Sequence, residues 1–316
     1  MLKVFPSGFL LLSILLVGSI MILFVSSSTI NAFSQATESS SRSNTFINSN
    51  PTGSGLLNDT NMKLLDSLGL ATVYQPLERE IAKIMDIAYQ SMNLTNSFGS
   101  FPLSNLTADM QQKYRGIPSD QDIDKRNEAK SLLETNTYLS FIGMTFPNGD
   151  TYFSEPYFPS QTNSSAYNYG YRDHIIGALE SKHPYLSNVI TAASTGKPLV
   201  VLASPIFSGE TGNNTIIGLL ALGFNLEQFD NLIKSESLDL NNTRLVLVDN
   251  NGTEISDSES NTSKLETFKG LQSIEKAKSG QVGSMSELIN GRNMSVSYAP
   301  IDIAQSKWIL LSITPN

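Results

Sequence analysis

The sequence predicts an α+β fold, a long N-terminal helix followed by two lobes built on antiparallel sheets. Three observations carry this. Apolar residues recur at helical spacing over residues 62–92, a strand–turn–strand pattern occurs twice, and no alternating βαβ units connect the segments. In the helical segment Leu64, Leu65, Leu68 and Ala71 share a face that Leu77, Ile81, Ile84 and Ala88 continue. An unbroken helix of that length would span about 45 Å. Pro76 lacks the N–H of an interior helical residue, so the expectation is a kink or a new helix there. Residues 122–134 read as a further helix.

The first strand pair, residues 140–146 and 151–154, flanks Pro147-Asn148-Gly149-Asp150. The second, residues 243–248 and 253–256, flanks Asp249-Asn250-Asn251-Gly252. Asn and Gly tolerate the positive φ that tight hairpin turns need, so both segments read as hairpins. After each hairpin come helical sequence and a turn, Gly196-Lys197-Pro198 or Ser279-Gly280-Gln281. Strands then close each sheet: residues 199–206 and 215–224 in the first lobe, and 282–288, 294–299 and 308–313 in the second.

Residues 9–25 are almost wholly apolar, and no charge falls between Lys3 and Glu38. Residues 1–36 therefore read as a membrane anchor or a signal peptide. The stretch exceeds the usual signal-peptide core of about 7–15 residues, while Ala32 and Ala36 offer cleavage sites. Either way the remainder is expected outside the membrane, single-pass or secreted. Residues 37–61 are rich in Ser, Asn and Thr and read as a flexible linker. Sequons at Asn58, Asn93, Asn105, Asn163, Asn213, Asn241, Asn251, Asn261 and Asn293 fit export and would accept glycans in a cell that glycosylates there. No second apolar run of spanning length and no transmitter sequence follows, so a membrane signalling partner is expected.

Composition narrows the function. A net charge of −8 leaves no basic surface for nucleic acid. The chain has 0 cysteines, which excludes disulfides, thiolate metal sites and thiol catalysis. It has 2 histidines, no Gly-x-Ser-x-Gly elbow and no His-Glu-x-x-His, so no hydrolytic site is read. The spacing of His174, Glu180 and His183 matches no zinc motif. No catalysis, metal or cofactor is expected.

The order Tyr171-Arg172-Asp173-His174, Tyr185-Leu186-Ser187, residues 194–206 and Gly218-Leu219-Leu220-Ala221-Leu222 resembles the double Cache family. Members have PAS-like lobes and usually bind a small molecule in the membrane-distal one. The resemblance covers about residues 64–313. It implies a distal lobe with the long helix at 62–238 and a proximal lobe at 239–316, with homodimerisation through the long helix a further possibility.

Amino-acid-binding members clamp the ligand carboxylate with an arginine and hold its ammonium with acids. Arg172 matches the arginine. His174 and Ile175 stand at the following aromatic pair, Ile190 and Ala192 near the next Tyr and Asp, and Gly223 near the late Asp. The resemblance thus implies a small carboxylate or another small ligand, held by Arg172, His174, Tyr171, Tyr152, Thr191 and Ser204. Tyr157, Tyr167 and Tyr169 are further candidates for the pocket wall. The other reading is a surface structural or adhesion protein whose pocket is filled by side chains.

Overall fold

The computed structural model describes residues 57–99, 103–208, 215–238, 240, 242–259 and 265–316. The predicted anchor and most of the linker lie outside them. Among the described residues no helix is long and apolar enough to cross a membrane.

Helix α1 (Asp59–Ser67) opens on Asn58, whose side chain accepts the Asn61 N–H at 2.9 Å. Helix α2 (Ala71–Gly99) follows. The break falls at Gly69, not at Pro76. Gly69 adopts φ +68°, where a residue with a Cβ is strained, so it ends α1 cheaply. Pro76 lies inside α2 and forfeits one bond, to the carbonyl of Thr72, which the helix tolerates because its inner face is well buried. That face carries Val73, Tyr74, Leu77, Ile81, Ile84, Ile87, Leu94 and Phe98.

Short helix α3 (Ala108–Tyr114) and α4 (Ile123–Thr135) precede the first sheet. Its strands are β1 (Leu139–Thr145), β2 (Thr151–Glu155), β3 (Tyr185–Leu186), β4 (Ile190–Thr191), β5 (Pro198–Phe207) and β6 (Ile216–Asn225). They run in the order β2-β1-β6-β5-β3, with β4 beside β5. A π-helical turn (Tyr157–Gln161) and α5 (Asp173–Ser181) lie between β2 and β3.

After α6 (Glu227–Ser237), the second sheet contains β7 (Arg244–Val248), β8 (Glu254–Asp257), β9 (Gly283–Ile289), β10 (Arg292–Ile303) and β11 (Ser306–Pro315), with α7 (Gln272–Lys278) between β8 and β9. Its order is β8-β7-β11-β10-β9. With β4 set aside, both sheets follow one topology: a hairpin, then a last strand that returns beside the first. Gly149 (φ +88°) and Gly252 (φ +78°) make the two hairpin turns.

One apolar core joins α2, α6 and one face of each sheet. It includes Phe153, Leu202 and Leu222 from the first sheet and Leu247, Ile301, Trp308 and Leu310 from the second. Polar bonds tie the same elements. Tyr74 donates its hydroxyl to the Pro300 carbonyl at 3.0 Å, and Gln305 bonds both backbone groups of Leu186 at 3.3 and 3.2 Å. The Val189 N–H donates to Asp249 Oδ2 at 2.8 Å. The other face of the first sheet is covered by α5, and the cavity lies there, bounded also by residues 190–194.

Candidate functional site

Strand alternation sets the cavity wall. Phe141, Gly143 and Thr145 of β1, Leu199 and Val201 of β5, and Ala221 of β6 face it. Their neighbours Ile142, Met144, Val200, Leu202 and Leu222 face the apolar core. On β2 the alternation is interrupted. Thr145 pairs with Thr151, Met144 with Phe153 and Gly143 with Ser154, so one extra residue is inserted at Tyr152. Thr151 and Ser154 consequently both face the cavity, while Tyr152 and Phe153 both turn into the core.

The opposite wall is α5 with Arg172 just before it, together with residues 190–194. Asp173 fixes this wall. Its Oδ1 accepts the His174 N–H at 2.8 Å, and its Oδ2 accepts the Asn188 backbone N–H at 2.9 Å and the Asn188 side chain at 3.1 Å. Arg172 donates from Nη2 to the Thr191 carbonyl at 3.4 Å and lies over the Tyr171 ring, 5.4 Å from its centroid. Tyr169 reaches the cavity with its ring and bonds Ser164 and the Ala166 carbonyl.

The cavity volume is about 70 Å³, room for a molecule of a few heavy atoms, whereas pockets for drug-sized ligands run to about 300–1,000 Å³. Its lining is mixed: Phe141, Ile175, Ile190 and Leu199 are apolar. Arg172, His174 and the hydroxyls of Thr145, Thr151, Ser154 and Thr191 are among its polar groups. The cavity adjoins a wider groove of about 740 Å³, with which it shares Phe141, Ser160, Ala192, Ser194 and Leu199.

Four buried polar atoms of lining residues have no hydrogen-bond partner among the described residues: Thr145 Oγ1, Thr151 Oγ1, Arg172 Nε and His174 Nδ1. Buried polar groups in folded proteins are nearly always paired, so four around one small space mark it chemically. His174 Nδ1 stands 3.5 Å from Asp173 Oδ1, near enough for Coulombic attraction but not a hydrogen bond. Burial holds the His174 imidazole below its ordinary value; Asp173 opposes this and Arg172 adds to it. Burial would raise the Asp173 carboxyl, but bonding to His174 and Asn188 outweighs it and leaves the group low. Tyr169 is raised, mainly by burial. No carboxylate lines the cavity among the described residues.

Of the six residues singled out from sequence, the structure brings Arg172, His174 and Thr191 together on this cavity. It places the other three elsewhere. Tyr171 points outward, 66% exposed, beneath the Arg172 guanidinium. Tyr152 is turned inward by the bulge; its hydroxyl donates to Asp122 and accepts from the Ser104 N–H. Ser204 lies on the core face of β5, out of phase with Leu199 and Val201. Tyr169 is the one tyrosine of the five considered that lines the cavity.

Ile175, Ile190 and Ala192 also line it, but the closing strand contributes Ala221 instead of Gly223. A Cβ on Gly223 would meet the Phe141 ring at 2.1 Å, so that ring covers the position. Thr145, Thr151 and Ser154 were missed. Their signal was polarity: Thr145 and Thr151 flank the hairpin turn, and Ser154 lies near the far end of β2.

A Cache domain family model matches residues 57–316. No curated protein matches the chain in sequence. Among solved structures it is similar to the ligand-binding domain of Mlp24 with asparagine, at 14% identity and a TM-score of 0.52, covering 82% of this chain and 96% of that one. It is also similar to the ligand-binding domain of the Pseudomonas aeruginosa PAO1 amino acid chemoreceptor PctC in complex with GABA, at 14% identity and 0.50, covering 81% and 100%. A third is an extracellular ligand binding receptor from Desulfohalobium retbaense DSM5692, at 15% identity and 0.50; the match covers 75% of this chain but 39% of that receptor. At these identities the likeness is one of fold. The family match runs from Leu57 through both sheets to the end of the chain, and the protein belongs to the double Cache family.

Proposed function

We propose that this protein is an extracytoplasmic sensor module that binds a small carboxylate, or a similar monoanion, in the cavity of its first lobe. It is not an enzyme, is held at a membrane by its N-terminal segment, and is read there by a partner. One observation carries the ligand class: Arg172 Nε and His174 Nδ1 are buried without a hydrogen-bond partner in a cavity that, among the described residues, no carboxylate lines. A guanidinium recognises a carboxylate through charge-assisted bonds. A free α-ammonium would find no acid there, which argues against a standard amino acid. The solved ligand-binding domains that share this fold, Mlp24 with asparagine and PctC with GABA, support a binding role for it.

The structural-protein reading needs a filled pocket, and this cavity is lined by Ala192, Ala193 and Ala221 where bulk would be required. The test is calorimetric titration of the full chain in detergent with acetate, propionate, lactate, pyruvate and methanesulfonate. Glycine and γ-aminobutyrate serve as zwitterionic controls. At least one monoanion is expected to bind at least about tenfold more tightly than either control, the discrimination that about 1.4 kcal/mol provides. Binding of the zwitterions alone, or of none of the panel by folded protein, would overturn the reading.

A further inference from the structure

We infer that the anion enters this cavity together with a proton that His174 takes up, so that His174 becomes a second charged recognition group beside Arg172. The inference rests on the anion-binding role proposed above.

His174 is 5% exposed, lines the cavity, and among the described residues has no hydrogen bond at Nδ1, where Asp173 Oδ1 stands 3.5 Å away. The charged groups around the ring are few. Arg172 and Asp173 come from its own element. The facing segment contributes Ile190, Thr191, Ala192, Ala193 and Ser194, and the sheet contributes Thr145, Thr151 and Ser154, none of them charged. Tyr169 is the remaining titratable side chain on the wall. One shell out, Asp249 reaches the facing segment through the Val189 N–H.

Without a ligand, burial and the neighbouring guanidinium both disfavour imidazolium, so the ring is neutral near pH 7. A bound anion reverses this balance. Its charge offsets that of Arg172 and adds to the attraction of Asp173, which is ionised because its own value is low. Tyr169 stays neutral because burial raises it. That leaves His174 as the lining group whose charge changes between about pH 5 and 8. The anion raises the histidine's value, so between the bound and free values affinity increases as pH falls, by at most about tenfold per pH unit.

The test titrates the full chain in detergent with methanesulfonate, whose charge does not change in this range, and with lactate, at about pH 7.5 and about pH 5.5. Each titration is repeated in buffers of different ionisation enthalpy and with His174→Gln. Wild type is expected to bind roughly tenfold or more tightly at the lower pH, with proton uptake visible as a buffer-dependent heat, while His174→Gln changes by less than about twofold. Binding with the same constant at both pH values, or without proton uptake, would overturn the coupling and leave the anion site standing. An unaltered pH dependence in His174→Gln would move the proton elsewhere, to Asp249 for example, and overturn the assignment. Failure of both probes at both pH values would overturn the coupling, and the wider panel above then decides the anion site itself. The buffer measurement needs no variant, so a misfolded His174→Gln does not block the test.

Discussion

Replacing Arg172 with alanine is expected to weaken binding of a small monoanion by about ten- to a hundredfold, the effect of losing charge-assisted hydrogen bonds worth about 1.5–3 kcal/mol. Stability of the ligand-free protein should change little. The guanidinium is only half-buried, its one hydrogen bond, to the Thr191 carbonyl, is long at 3.4 Å, and it stacks on an exposed tyrosine. Arg172→Lys keeps the charge but not the planar fork, and should recover only part of the affinity. Calorimetry on the three proteins, with denaturation followed through the single tryptophan, separates binding from folding. That residue, Trp308, is buried in the shared core and packs edge-on against Phe229 at 5.1 Å. Equal losses of affinity and stability would mean that Arg172 is structural.

The largest loss of stability is expected from Arg126→Ala. Arg126 and Glu155 are each 1% exposed and bonded at 2.6 Å. Arg126 also donates to the carbonyls of Ile117, Pro118 and Gln121 and to Gln161 Oε1, filling its fork. Gln161 in turn accepts the Ser154 N–H and donates to the Tyr114 and Ile117 carbonyls. Removing the guanidinium leaves Glu155 buried without its closest partner, at a cost of about 3–5 kcal/mol. The double variant Arg126→Ala/Glu155→Gln no longer buries an uncompensated charge and should be less destabilised than Arg126→Ala alone. Equilibrium denaturation of the wild type and the two variants checks this order. Ser154 and Ser160 line the cavity beside Glu155 and Gln161, so the same network braces the ligand site from behind.

How much of this was legible in the sequence depended on whether the signal was local. Asn148-Gly149 and Asn251-Gly252 announced both hairpins because the positive φ they need is a property of those residues themselves. Arg172, His174 and Thr191, which line the cavity, were singled out through motif order, since they sit at the start of a helix and on a short strand whose places the flanking pattern fixes. Tyr152 and Ser204 could not be assigned to a face by the same means. A single inserted residue moved Tyr152 from the face of Ser154 to that of Phe153, and Ser204 needed the phase of β5 against a particular wall. The helix break was misplaced for a related reason: proline marks what a helix disfavours, but burial along α2 offset one missing bond, and Gly69 ended α1 instead. Helix α3 and the π-helical turn carry little periodicity of their own. The Arg126 and Gln161 side chains hold that region through contacts distant in sequence.

The most direct test of the anion site is a crystal structure of the protein with 2-bromopropionate, located by the anomalous scattering of bromine. A peak inside the first-lobe cavity, with the carboxylate on Arg172, is the predicted result. A peak confined to the wider groove or the second lobe, with the cavity unchanged at a concentration that saturates binding in solution, would contradict it.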